Sequence, residues 1–136
     1  MAANTIPIFP LTPKISWGTS LATANTAKDG TGTVVLLATA GANGSRVDFL
    51  RVRALGTNVA TALRIFVNNG ADPTVAANNV LFTEATIAAT TLSEVAALAE
   101  TQIAMDLALP AGYRLYATIG TTVAAGLMVS AVFGDY

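Results

Sequence analysis

The sequence contains neither histidine nor cysteine among its 136 residues. These two side chains most often supply a general base, a reactive thiolate or a transition-metal ligand, so few kinds of catalytic site are open to the chain. Without cysteine it has no disulfide framework. Charged residues make up only 11% of the chain and aromatic residues 7%. This composition favours a structural or binding role over enzymatic activity, and we expect no catalytic residues, no cofactor and no metal site.

Charge of one sign and long apolar runs are also lacking. The formal net charge is −1, which gives no general attraction to nucleic acid. No run of 18 apolar residues is free of polar interruptions, so no membrane-spanning helix is predicted. The first 14 residues lack a basic stretch followed by an apolar one, unlike a secretory signal. We therefore expect neither nucleic acid nor a membrane as a partner.

Proline and apolar residues alternate at the start of the chain. Pro7, Pro10 and Pro13 recur at every third position. Proline fixes its own φ and biases the preceding residue toward extended backbone, so residues 1–13 are predicted to form an extended arm ahead of a single domain, residues 14–136. Such an apolar arm is expected to pack on its own domain or on a neighbouring protein. The candidates for partner contact in it are Ile6, Pro7, Ile8, Phe9, Pro10 and Leu11.

Beyond the arm, short runs with strand-like alternation are separated by Gly, Asn, Asp and Pro. About eight strands at regular spacing predict an all-β fold, an antiparallel β-sandwich of jelly-roll type. The predicted strands are Lys14–Thr19, Thr33–Thr39, Ser45–Leu55, Ala60–Asn68, Asn79–Ala88, Leu98–Leu109, Gly112–Gly120 and Ala124–Phe133.

Three local patterns refine this prediction. Alternation is clearest in the last three strands, where Leu115, Ala117 and Ile119 form an inward row against Arg114, Tyr116 and Thr118. In the third strand the alternation slips between Phe49 and Leu50, which predicts a β-bulge. The segment from Thr91 to Glu100 also fits a short helix capped by Ser93, an alternative to irregular backbone.

The residues that remain offer little for catalysis or metal binding. A pair of carboxylates can hydrolyse glycosides. Sites of that kind usually include several aromatic side chains that hold the sugar, and this chain has few aromatic residues. We therefore expect the acids to lie on solvated strand faces and turns. The turn from Asn68 to Asp72 has oxygen ligands suited to Ca²⁺. Its Asn-Asn-Gly sequence is also a good turn by itself.

Trp17, Arg51 and Arg53 are further candidates for partner contact. Arg51 and Arg53 are two residues apart on one predicted strand and so share a face. Arginine is favoured in interface ion pairs because of its planar guanidinium group, and pairing with carboxylates of the same or a neighbouring subunit is preferred over binding phosphate. Trp17, the only tryptophan, is expected either to plug one end of the sandwich or to anchor a partner.

Five segments carry a resemblance to a known class of proteins. They are Val-Asp-Phe-Leu-Arg-Val-Arg from Val47, Thr-Ala-Leu-Arg-Ile-Phe-Val-Asn-Asn-Gly from Thr61, Leu-Phe-Thr-Glu from Leu81, Leu-Pro-Ala-Gly-Tyr-Arg-Leu from Leu109 and the final Val-Phe-Gly-Asp-Tyr. Together they resemble small virion-associated proteins of tailed bacteriophages and prophages over about two-thirds of the chain. The resemblance implies a β-sandwich auxiliary protein of the phage head.

The leading hypothesis is accordingly a structural virion protein, a capsid decoration or cement protein on the outer surface of the head. Its expected partners are the major capsid protein and other copies of itself, arranged as a homotrimer as the resemblance implies. An extended arm can anchor such a protein, since it can add a strand to an exposed sheet edge. The alternatives are a tail- or fibre-associated module, a β-sandwich displayed on the virion that binds a glycan or another part of the host surface and, with least support, a small hydrolase.

Overall fold

A computed structural model describes residues 9–136 as a sandwich of eight β-strands. The only helical element in this part of the chain is a three-residue 3₁₀ turn, Ala76–Asn78. Residues 9–136 thus contain no helix that is long and apolar enough to cross a membrane. The strands are β1 Thr12–Trp17, β2 Val35–Thr39, β3 Ser45–Ala54, β4 Thr61–Asn68, β5 Asn79–Ile87, β6 Glu100–Leu109, β7 Arg114–Ile119 and β8 Leu127–Asp135.

The strands form two antiparallel four-stranded sheets. The first sheet has the order β1-β8-β3-β6 and the second the order β2-β7-β4-β5. Successive strands alternate between the sheets except for the β4–β5 pair, which is the double Greek-key order of a jelly roll. The predicted fold class is therefore confirmed. All eight predicted strands are present, although β1 begins at Thr12, inside the stretch predicted as the arm, and β8 continues to Asp135.

The core lies between the sheets and follows the period-2 pattern of the sequence. Leu50 of β3, Leu63 of β4 and Leu115 of β7 are fully buried, as expected for alternate residues that point toward the opposite sheet. Burying each of these side chains contributes roughly 1.5–3 kcal/mol. The inward rows predicted for the last three strands are confirmed.

The predicted bulge in β3 is present, one residue earlier than expected. The register of β3 with both its neighbours shifts between Val47 and Phe49. Asp48 is the additional residue relative to β8, so Val47 and Leu50 both point inward while Phe49 points outward. On β6 the adjacent Asp106 has φ 43°, a left-handed conformation that aspartate tolerates better than most residues.

The alternative helix near Thr91 is not formed. Residues 91–99 are irregular and mostly exposed. The Ser93 hydroxyl oxygen accepts bonds from the amides of Val95 and Ala96, each at 3.2 Å, so the serine caps a single turn that does not continue. The segment lacks an apolar stripe to bury, and a short helix is not stable without one.

The long connection between β1 and β2, residues 18–34, covers the outer face of the second sheet. Gly30, with φ 80°, packs so closely there that a Cβ would lie 3.0 Å from the Phe66 ring. Phe66 is consequently fully buried. On the neighbouring strand β7, Thr118 is fully buried and Tyr116 is only 7% exposed, although all three residues point away from the core. The alternation predicted for β7 is thus present in side-chain direction but not in burial.

Candidate interaction surface

The outer face of the first sheet carries most of the candidate partner contacts outside the arm. It has no covering segment equivalent to residues 18–34 within the described chain. Its exposed and half-buried side chains come from all four strands. We call it the uncovered face: Pro13, Ile15, Trp17, Arg46, Asp48, Phe49, Arg51, Arg53, Glu100, Gln102, Ala104, Asp106, Met128, Ser130 and Val132.

Trp17 lies on the lateral edge of this face, on the edge strand β1, and is not packed into an end of the sandwich. It pairs with Ser130 of β8, which on its other side pairs with Arg51 of β3, so the three residues form one row across the sheet. Trp17 is 63% exposed and its neighbour Ile15 is 65% exposed. The interpretation of Trp17 as a plug is therefore wrong, because the edge strand β1 directs it away from the core.

Arg51 and Arg53 point outward from β3, as predicted, and share one carboxylate. Arg51 Nε lies 3.0 Å from Glu100 Oε1, and Arg53 Nη1 lies 3.2 Å from Glu100 Oε2. Two guanidinium groups on one carboxylate leave this corner with a charge of +1. We call these three residues the positive end of the uncovered face. Pairing of the arginines within the same subunit is thus observed.

The bulge forms the opposite corner, where one arginine lies between two carboxylates. Arg46 Nη2 lies 3.1 Å from Asp106 Oδ1, and Arg46 Nε lies 3.6 Å from Asp48 Oδ1. This negative end, Arg46 with Asp48 and Asp106, has a charge of −1. Asp48, Asp106 and Glu100 are not among the residues predicted from the sequence for partner contact. The outward alternation of Glu100 and Gln102 on β6 was the sequence signal that could have indicated these acids. Which residues of β3 they face depends on the register of the two strands, which the sequence does not show.

The arm candidates are only partly within the described chain: Ile6, Pro7 and Ile8 lie outside it. Phe9 and Leu11 are 70% and 82% exposed. Pro10 packs against the sheet at Gly134, where a Cβ would lie 2.5 Å from that of Pro10. A mostly apolar groove of about 350 Å³ opens beside this contact, lined by Pro10, Pro13, Lys14, Ile15, Asp48, Val132, Phe133 and Gly134.

An ion pair fixes the beginning of β1 to the end of the chain. The Lys14 ammonium contacts the Asp135 carboxylate, which also accepts a hydrogen bond from the Ser45 hydroxyl. The Lys14 ammonium, and then the Ser45 hydroxyl, lower the pKa of Asp135 below its ordinary value of 3.8. The ammonium also lies 5.9 Å from the centre of the Phe133 ring. Because Lys14 is paired with Asp135, the two residues together add no net charge beside the uncovered face.

The turn considered as a calcium site uses its oxygens for its own backbone. Asn68 Oδ1 accepts the amide of Gly70 at 2.8 Å, and Asp72 Oδ1 accepts the amide of Thr74 at 2.9 Å. The latter bond and the Thr74 hydroxyl lower the pKa of Asp72. Within residues 9–136, no three acidic side chains come close enough to hold a metal ion together. The geometry accounts for these residues as turn formers.

The aromatic residues do not form a glycan platform around Trp17. Tyr116 is buried on the outer face of the other sheet, and Tyr113 packs against the core. Trp17 instead has Ile15 and Ser130 as neighbours on its face. The arrangement favours contact with a protein surface, because Trp, Arg, Met and Phe together are typical of protein interfaces.

The chain matches no protein-family model, no curated protein and no solved structure. Its function is therefore inferred from its own geometry and from the sequence resemblance described above.

Proposed function

We propose that this protein is a structural protein of a tailed-phage virion, a decoration or cement protein that binds the outer head lattice and stabilises it by bridging subunits. The sequence resemblance supports this role, and so does a small jelly roll that presents apolar side chains at one corner. The single observation that carries the proposal is the exposure of Phe9 and Leu11 at the root of the arm.

The root of the arm is built to hold these two side chains outward. Pro10, between them, packs on Gly134, and the backbone amide of Leu11 donates a 2.7 Å hydrogen bond to the Asp135 carbonyl. Eight further residues precede Phe9, including Ile6 and Ile8. An extended segment of that length reaches about 25 Å, far enough to contact a second subunit of a lattice. Contacts repeated over a lattice raise the effective affinity.

The arm anchors the protein to the major capsid protein in this proposal, while copies associate with one another through other surfaces. The resemblance implies three copies around a local threefold axis. A virion reconstruction that shows isolated single copies would contradict association between copies.

The test is co-sedimentation of the purified protein with heads of the encoding phage assembled without it. We expect saturable binding of the full chain at a fixed ratio to the capsid protein. The double substitution Phe9→Ala/Leu11→Ala should weaken this binding at least about tenfold, because interface anchors typically contribute more than 1 kcal/mol each.

The matched control is Phe82→Ala/Val80→Ala, which removes the same kind of side chains from β5, the edge of the second sheet. Phe82 and Val80 are 44% and 59% exposed, and their removal should leave head binding unchanged. Equal loss in both double variants would contradict the arm as anchor. Absence of head binding by the full chain would contradict the cement role and favour the alternative, a tail- or host-surface binding module.

A further inference from the structure

The two ends of the uncovered face carry opposite charges that the ion pairs within the subunit do not cancel. At the positive end Glu100 is shared between Arg51 and Arg53, and at the negative end Arg46 is shared between Asp48 and Asp106. Each end therefore keeps one unit of net charge that the ion pairs within the subunit do not neutralise. The face as a whole is neutral, with +1 at one corner and −1 at the other.

These ends are separated along a single strand. Asp48 and Arg53 are five residues apart on β3, which is about 16 Å at the rise of a strand. Two copies can stack with their uncovered faces together. A twofold axis that lies between the two faces and runs perpendicular to the strands reverses the direction of every strand in the second copy. It leaves the position of each strand across the sheet unchanged. It therefore places β3 antiparallel to β3 of a second copy and brings each positive end onto the other copy's negative end.

The same operation brings the apolar side of the face onto itself. Trp17 is in the row of Arg51 and Ile15 in the row of Phe49, so an axis midway between the charged ends sets Trp17 of each copy against Ile15 of the other. The half-buried Phe49 and Val132 lie between β1 and the charged ends. Two large, mostly exposed side chains would then be removed from water in each copy, which is favourable by roughly 25 cal/mol per Å² of apolar surface. Charge and apolar surface thus fit one arrangement.

We propose that the uncovered face binds the uncovered face of a second copy of this chain, related by a twofold axis perpendicular to the strands. This pairing is isologous, since the same residues serve both copies. It uses the copies in pairs, in contrast to the threefold arrangement that the resemblance implies. The arm root stays at the rim of the interface, and the pairing does not depend on head binding.

Reciprocal charge reversal tests the pairing without any phage component. In the acidic variant, Arg51→Glu/Arg53→Glu, the positive end becomes negative. In the basic variant, Asp48→Lys/Asp106→Asn, the negative end becomes positive, and asparagine is used at 106 because it tolerates the left-handed φ. Sedimentation velocity gives the association state of each, and the emission of Trp17, the only tryptophan, reports burial of the face itself.

We expect the unmodified protein to sediment as a dimer and each variant alone as a monomer. Like charges would face each other in either variant, which should raise the dissociation constant about a hundredfold or more. Mixing the two variants should restore a 1:1 dimer with a blue-shifted Trp17 emission. High salt should weaken the unmodified dimer several-fold, because the charged ends are at the rim and are screened.

The control reverses two positive charges off the face, Lys28→Glu/Arg114→Glu, and changes the net charge as much as the acidic variant does. It should remain a dimer. A monomeric or trimeric unmodified protein would overturn the pairing, as would a control variant as monomeric as the acidic one. If both charge variants are folded by circular dichroism yet do not associate when mixed, the twofold arrangement is wrong. Head binding decides the proposed function separately.

Discussion

Buried asparagine side chains hold the connections between strands in place. Asn25, nearly inaccessible in the connection of residues 18–34, donates from Nδ2 to the carbonyls of Thr31 and Thr33 at 2.8 and 2.9 Å, and its Oδ1 accepts the amide of Ala27. At the same end of the sandwich, Asn58 joins the connections before β4 and β8 through Gly126 and Ala125. Backbone groups that no strand pairs are satisfied in this way.

The substitution Asn25→Ala should lower the free energy of unfolding by about 1–3 kcal/mol, because it leaves two carbonyls and one amide without their partner. Urea denaturation followed by circular dichroism measures this change. Asn43→Ala is the matched control, since Asn43 is exposed and makes only a 3.5 Å contact with the Tyr136 carbonyl. Equal midpoints for the two variants would show that Asn25 does not organise the connection.

At the scale of the element, β1 has two roles, one in holding the sandwich together and one in the exposed surface, and alternate residues of the same short strand serve them. Its inward residues Lys14 and Ser16 fix it to the sandwich, Ser16 by donating to the Leu37 carbonyl of β2. Its outward residues Ile15 and Trp17 remain exposed. As the edge of the first sheet it pairs only with β8. The strand is therefore both a structural edge and part of an interaction surface.

A pair of deletions separates the arm from this strand. Removal of residues 1–13 takes away the Pro10 contact with Gly134, the Leu11 hydrogen bond to Asp135 and the first two residues of β1. Removal of residues 1–8 leaves all of these contacts in place. We expect the longer deletion to unfold at a lower temperature than the shorter one, by several degrees for a loss of about 1–2 kcal/mol. Identical melting temperatures would show that these contacts add no stability.

At the scale of the whole molecule, the two ends of the described chain meet at one ionised group. Asp135 joins β8 to Lys14 of β1 and to Ser45 at the start of β3. Because these partners lower its pKa below 3.8, the folded protein keeps the carboxylate at a pH where the unfolded chain takes up a proton. The resulting stabilisation is complete above the ordinary pKa and is lost as the pH falls through the lower folded value.

Stability should therefore decrease on acidification below about pH 4–5, and Asp135→Asn should decrease less steeply over the same range. Urea midpoints measured at intervals from pH 6 to pH 2.5 give the two slopes. Asp29 and Asp72, whose pKa values are also lowered by hydrogen bonds from Thr31 and Thr74, contribute equally to both proteins. Parallel curves would mean that the Asp135 network is not linked to folding.

Most of the fold follows from local pattern. Alternation such as Leu115, Ala117 and Ile119, bounded by Gly-containing turns, predicts strands because a strand can bury only every second side chain. The bulge was predicted from two consecutive apolar residues, Phe49 and Leu50. Its position was one residue off because sequence does not show which of the two faces the core. The sequence from Thr91 to Glu100 likewise allows both a short helix and irregular backbone, because it does not show whether one face of a helix would be buried.

The sequence by itself determined the strands, the two-sheet class, the outward direction of Arg51 and Arg53 and the narrow range of chemistry left without histidine and cysteine. Only the tertiary structure decided which outer face is exposed. Phe66 and Trp17 both point away from the core, yet residues 18–34 cover the first and leave the second exposed to water. The register of β3 with β6 likewise decided which acids pair with each arginine. Such relations join residues far apart in the chain, so no local pattern specifies them.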